Sequence, residues 1–353
     1  MERPVVLMAE SATTDEVLRL AAAVGCDLDR VADVTELRAR WRTAPLVLLD
    51  TDAVEACAGE GFAHRSDVLL VANGPPPTPT AALRLGVQLV DLPSDTDELH
   101  ALLADAADNP SPVRGRVLAV LGGRGGAGAS VFAAAVAQEV LSSGGTGLLV
   151  DCDPFGGGLD LTLGAEGESG LRWPEVRVTG GRVRATALRA ALPRRTAGTG
   201  SLTVLSCARE GTPTLTATAV GAVVDAGTRA GDTVVCDVPR HPTPPSTAVL
   251  DRADLVILLV PAEIRACAAA RQLATHIRTR HPQARIRTVV RGPAPSGLTP
   301  HHVAEAVGVP LLTTMRPERH LPESLDQGHF PHRPRGPLSK AARLTLTALL
   351  TPL

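Results

Sequence analysis

The segment 117–130, Val-Leu-Ala-Val-Leu-Gly-Gly-Arg-Gly-Gly-Ala-Gly-Ala-Ser, is an apolar run of strand length that opens into a glycine-rich loop. Such a run has to lie inside a sheet, and the loop after it has to turn into a helix. Gly123 to Ser130 fit the phosphate-binding spacing Gly, four residues, Gly, Lys, Ser/Thr, except that Ala129 stands where the lysine is expected. Glycines let the backbone curl so that Gly123, Arg124, Gly125, Gly126, Ala127, Gly128, Ala129, Ser130 and Val131 can aim N–H groups at phosphate oxygens. The following helix adds its positive N-terminal dipole. Ser130 is placed to offer a hydroxyl to Mg²⁺. The missing ammonium is not easily replaced, because Lys340 is the only lysine in the chain and Arg124 is the nearest cation.

Three more segments extend the pattern. Leu148 to Asp153 is a short apolar run ending in Asp151 and Asp153, followed by Pro154, Phe155 and three glycines. Asp232 to Pro239 is a second run, with Asp237 where a Walker B aspartate would sit, and Asp254 to Pro261 is a third. Short runs of this kind, separated by helix-length stretches, indicate buried parallel strands in an open α/β sheet. Ligands gather at the carboxyl ends of such strands, so the glycine loop, Asp153 and Asp237 are expected to converge.

These residues together resemble the MinD/ParA group of deviant Walker ATPases, whose loop reads Lys-Gly-Gly-x-Gly-Lys-Ser/Thr. Arg124 stands at the group's first lysine, Ala129 at its second, Asp151 and Asp153 at its acidic box, and Asp237 with Pro239 at its Walker B end. The chain looks most like the CpaE/TadZ branch, which includes actinobacterial septum site-determining-like proteins and carries an N-terminal receiver-like domain. Residues 307–328 also look like the C-terminal part of that branch. The resemblance implies ATP and Mg²⁺ as cofactors, with Ser130 and, through water, Asp237 at the metal. It implies Asp153 as the residue that orients a water or senses the γ-phosphate, and Arg124 as a cation reaching across a homodimer. Two departures stand out. Arg291, after Val289-Val290, occupies the position where the group commonly has a base-reading Asn. Both lysines are absent, which predicts weak or no hydrolysis with binding retained.

At 353 residues the chain has room for two domains, each with its own core. The expected architecture is a CheY-like, degenerate receiver α/β domain over 1–107, a linker over 108–115, and a mostly parallel P-loop NTPase sheet flanked by helices over 116–353. Two prolines in Asp108-Asn-Pro-Ser-Pro112 mark the linker. Strand candidates in the first domain are Pro4–Met8, Pro45–Asp50, Val68–Ala72 and Gly86–Val90. Asp50 ends Pro45–Asp50, which takes the place of a receiver's third strand, where the phosphoacceptor would lie. The other receiver groups are missing: the first strand runs into Met8-Ala9-Glu10, the fourth into Ala72-Asn73-Gly74, and Leu92 stands where a lysine would be. The expectation is a domain used for docking or dimerisation.

A net charge of −2 argues against a chain that is basic overall, and 2% aromatic residues leave little to stack on single-stranded nucleic acid. Cys26, Cys57, Cys152, Cys207, Cys236 and Cys267 show no metal-ligand spacing and read as small buried apolar residues of a reduced, intracellular protein. The start Met1-Glu-Arg-Pro has no signal-peptide pattern, and no run reaches membrane-spanning length, so the expected location is cytoplasmic. A polar or septal address, with peripheral membrane contact at most, follows from the resemblance.

Two stretches are rich in arginine and poor in acids. One holds Arg177, Arg182, Arg184, Arg189, Arg194 and Arg195; the other holds Arg265, Arg271, Arg278, Arg280, Arg285, Arg287 and Arg291. They read either as solvated helix faces or as a surface for nucleic acid or anionic lipid. Leu338, Ala342, Leu346 and Leu349 line one side of a terminal helix that either closes the core or touches a membrane. The function expected is a nucleotide-controlled positioning scaffold for Tad/Flp pilus assembly or septum placement, partnered by pilus, secretion or division proteins. The alternatives are a ParA-like ATPase that binds DNA nonspecifically, and a regulator phosphorylated on Asp50.

Overall fold

In a parallel strand buried on both faces, successive side chains must each find an apolar layer, and the two sheets of this protein are built that way. A computed structural model describes residues 3–65, 67–72, 77–107, 113–176, 178, 183–210, 215–294 and 297–351, without the side chain of Ala72. Asn73-Gly74, Arg177, Arg182 and most of the expected linker, 108–112, lie outside the described residues. The chain divides into two compact units, Met1–Ser111 and Pro112–Leu353.

The first unit carries strands β1 (Val5–Leu7), β2 (Asp29–Arg30), β3 (Val47–Leu49), β4 (Val68–Ala72) and β5 (Val87–Asp91). They pair in the order β2-β1-β3-β4-β5, all parallel. Val5, Val47, Leu49, Val68 and Leu70 pack on one face with Trp41, Val54 and Leu85. Val6, Leu48, Leu69 and Val71 pack on the other with Val17, Leu20, Leu99 and Leu103. The two-residue β2 has no place among the strand candidates, because Asp29-Arg30 presents no apolar run to recognise.

The second unit carries β6 (Arg116–Gly122), β7 (Thr146–Asp151), β8 (Arg194–Ala197), β9 (Gly200–Leu205), β10 (Thr233–Asp237), β11 (Leu255–Pro261), β12 (Ile286–Arg291) and β13 (Leu311–Met315). The order is β13-β12-β11-β6-β10-β7-β9-β8, parallel throughout except for β8, which runs antiparallel along the edge. Helices cover both faces: Ala217–Arg229, Ile264–Arg280 and Pro300–Val307 on one, Ala129–Ser142 and Pro337–Leu350 on the other. In the last of these Leu338, Ala342, Leu346 and Leu349 are all buried against the core, so the helix spends its apolar side on packing. Buried Glu139 of Ala129–Ser142 ties this region down by accepting from Arg343 Nε at 3.2 Å and pairing with His332 Nε2 at 3.1 Å.

No helix among the described residues is long and apolar enough to cross a membrane. All six cysteines are buried and free.

Candidate functional site: a glycine cradle beside an apolar cavity

β6 leads into the loop, and the Gly123 N–H donates to the Leu259 carbonyl of β11 at 2.8 Å, which pins the loop's first residue to the sheet. Gly126 (φ 69°) and Gly128 (φ 93°) then adopt left-handed conformations that an L side chain rarely takes. Gly128 caps the helix Ala129–Ser142 with no side chain, so the helix's first amides have no capping partner of their own and remain for a ligand. Ala127 is buried, Ala129 and Val131 are half-buried, and Ser130 is exposed.

Asp237 ends the neighbouring strand β10, in register with Val120 of β6 and Asp151 of β7, and is 4% exposed. Burial pushes its carboxyl up to about 7; the nearby Ser130 hydroxyl pulls the other way, and Asp151 and Asp153 add to the rise. A cation placed beside it would favour the carboxylate again. The two acids at the end of β7 play different parts. Asp151 is buried and accepts from the N–H groups of Asp153, Leu159 and Cys207 at 3.1, 3.2 and 3.2 Å, so it brackets the turn after β7. Asp153 is half-buried, and among the described residues its carboxylate accepts only from the Phe155 N–H, at 3.1 Å, which leaves lone pairs free.

Arg124 is committed within its own chain. Its guanidinium grips Glu263 with two hydrogen bonds, Nε at 3.0 Å and Nη2 at 2.8 Å, and Nη1 donates to the Gly125 carbonyl at 2.6 Å. That pairing, followed by Arg291 and Arg265, holds the Glu263 carboxyl below its ordinary range. Arg291 ends β12 and comes so close to the loop that a methyl group on Gly128 would meet its Nη1 at 3.2 Å. Burial, then the nearby Arg124, lowers its pKa.

Beside Gly128 a cavity of about 210 Å³ is walled by Val131, Met315, Pro317, Leu321 and Leu338, with Arg291 at the loop side. Sequence reasoning found Val131 and Arg291 but not the far wall, whose only signal is the Met-Arg-Pro-Glu run at the end of β13. It also missed Asp160, 1% exposed, which accepts from Arg172 Nε at 2.8 Å, Arg209 Nη1 at 2.8 Å and Ser206 Oγ at 2.9 Å. Burial alone would raise its pKa, but Arg172, Ser206 and Arg209 together hold it down. This knot fixes the segment after the acidic box.

The residues fit a nucleotide. An N-terminal cradle with left-handed glycines, a buried acid facing a hydroxyl, and an apolar slot at the loop's edge are the parts a phosphate chain and a base require. Ser130 and Asp237 by themselves are too few oxygen ligands for Mg²⁺, so phosphate oxygens and water would have to complete its shell.

Many arginines of the first stretch are used internally. Arg189 pairs with Asp232, Arg195 Nε donates to Glu168 at 2.9 Å, and Arg194 Nε donates to Ser201 at 2.8 Å. On the helix Ile264–Arg280, Arg265, Arg271, Arg278 and Arg280 are exposed. In the first unit, Asp50 caps the helix Thr51–Gly59, accepting from Ala53 N–H at 2.9 Å and Ala9 N–H at 2.7 Å. Among the described residues, no group of three or more His, Cys, Asp or Glu could hold a metal ion.

The fold and loop define a protein with a CheY-like N-terminal domain followed by a MinD/ParA-type P-loop fold. The chain belongs to the family of Rv3660c from Mycobacterium tuberculosis strain H37Rv, an uncharacterized protein to which it is 42% identical over 349 residues, 97% of each chain. A family profile described as "Rv3660c-like, CheY-like N-terminal domain" matches residues 7–116. Among solved structures, a ParA family ATPase from Chlorobium tepidum is similar with a TM-score of 0.56 and 19% identity, over 67% of this chain and 99% of that one. The septum site-determining protein MinD of Pyrococcus horikoshii, complexed with Mg-ADP, is similar with a TM-score of 0.50 and 17% identity, over 66% of this chain and 95% of that one.

Proposed function

We propose that this chain binds ATP or ADP with Mg²⁺ on Gly123–Val131 and works as a CpaE/TadZ-type positioning scaffold. Its homodimeric state would respond to nucleotide, and its client would be a Tad/Flp pilus or septum machinery. The observation that carries this reading is the retention of the whole glycine cradle, with Ser130 against a buried Asp237, at a loop that has lost its lysine to Ala129. The Mg-ADP complex of the Pyrococcus horikoshii MinD supports the choice of ligand class. Bound Mg²⁺–nucleotide would supply a charged switch. In that state the loop amides would hold phosphate oxygens, Ser130 and, through water, Asp237 would complete the metal's shell, and Asp153 would orient a water or sense the γ-phosphate. Without an ammonium at position 129, stabilisation of a transferring phosphoryl group is poor, which favours occupancy over turnover. The receiver-like unit 1–107, joined through 108–115, would dock or dimerise, since the Asp50 carboxylate is spent on two backbone N–H groups.

Titration of a fluorescent ATP analogue with and without Mg²⁺, alongside particle mass by light scattering, tests the reading. It predicts Mg²⁺-dependent binding and a mass that changes with nucleotide. A chain that ignores nucleotide at millimolar concentration would instead be a nucleotide-independent adaptor.

A further inference from the structure

We infer that Arg291, from the far end of β12, supplies the phosphate charge that the loop lost at position 129, and that Arg124 does not. This assignment rests on the nucleotide reading above. Three observations carry it. First, the loop contains no lysine, and the Arg124 guanidinium, although Nη1 lies 3.5 Å from where a Cβ on Gly126 would be, already spends its donors on the two-pronged bond to Glu263 at 3.0 and 2.8 Å and on the Gly125 carbonyl. Second, Arg291 Nη1 stands 3.2 Å from where a Cβ on Gly128 would be, at the point where the loop becomes a helix. Third, the Arg291 guanidinium is half-buried and has no hydrogen-bond partner among the described residues, only the longer-range pull of Glu263.

A guanidinium that has given up part of its hydration without a partner is poised for an anion, and its planar fork suits phosphate oxygens. Its place between Gly128 and the apolar cavity puts it nearest the phosphates that adjoin the nucleoside, not at the terminal one. Binding is thereby restored at the start of the phosphate chain, while the end that would be transferred stays without a cation.

Calorimetric titration of the full-length chain with Mg-ATP, Mg-ADP and adenosine tests the assignment, using Arg291→Gln, Arg291→Lys and Arg124→Gln. Thermal melts without ligand check that each variant is folded. Arg291→Gln is expected to weaken ATP and ADP alike by about tenfold or more, the size of one charge-assisted phosphate contact. Adenosine should change by less than about twofold, because it lacks that contact. Arg291→Lys should recover most of the loss, and Arg124→Gln should cost less than Arg291→Gln. An equal loss for adenosine would make Arg291 a base-contacting residue, and a larger loss in Arg124→Gln would return the charge to the loop; either overturns the assignment alone. No binding of any nucleotide by the unaltered chain overturns the nucleotide reading and the assignment together.

Discussion

Asp237 stands between β6 and β7 with its carboxyl raised to about 7 by burial, against an ordinary value of 3.8. The unfolded chain gives up this proton above pH 3.8 while the folded chain keeps it to about 7, so folding binds a proton in that window. The associated stability is complete below the unfolded value and is lost as pH climbs through the folded one. The loss is at most on the order of 4 kcal/mol, at about 1.4 kcal/mol per pKa unit. Asp237→Asn should therefore raise the melting temperature of the nucleotide-free chain at pH 8 and hardly alter it at pH 4, while weakening Mg²⁺-nucleotide binding. An equal shift at both pH values in scanning calorimetry would contradict this. Ala129→Lys should speed ATP hydrolysis by roughly two to three orders of magnitude, the value of one contact on the transferring group. A phosphate-release assay with nucleotide binding intact and no gain would place the defect elsewhere in the pocket. Asp160→Ala would leave Arg172 and Arg209 without their carboxylate beside a buried gap, at a cost of about 3 kcal/mol by urea denaturation.

At the scale of elements, the strands that meet at the site were legible because each is an apolar run ending in Asp, Pro or Gly. β6, β7, β10 and β11 all fall where such runs predict them. β8 and β2 were not legible: one is an edge strand of Arg-Arg-Thr-Ala and the other two charged residues, so neither has a buried side to betray it. The cavity wall from β13 to the terminal helix was equally hidden, since it gathers Met315, Leu321 and Leu338 from segments far apart in sequence. The ambiguity of that helix is settled by packing, with Leu346 8% and Leu344 51% exposed. Leu346→Ala should cost about 2–4 kcal/mol, as buried leucine truncations do, and Leu344→Ala no more than about 0.5 kcal/mol. Comparable losses for the two in urea titrations would mean the helix does not close the core as described.

At the scale of the whole molecule, two compact units each carry their own paired apolar layers. Ligand held by Pro112–Leu353 should stabilise that unit by about 2.7 kcal/mol at a hundredfold excess over its dissociation constant. If the units melt separately, only one transition should move. The central claim is that backbone amides of a bent glycine segment hold the phosphates without a lysine, and hydrogen exchange read by mass spectrometry addresses those amides themselves. With saturating Mg-ATP the account predicts strong new protection over residues 123–131 and at the end of β10. Exchange across 123–131 that is the same with and without nucleotide would contradict it.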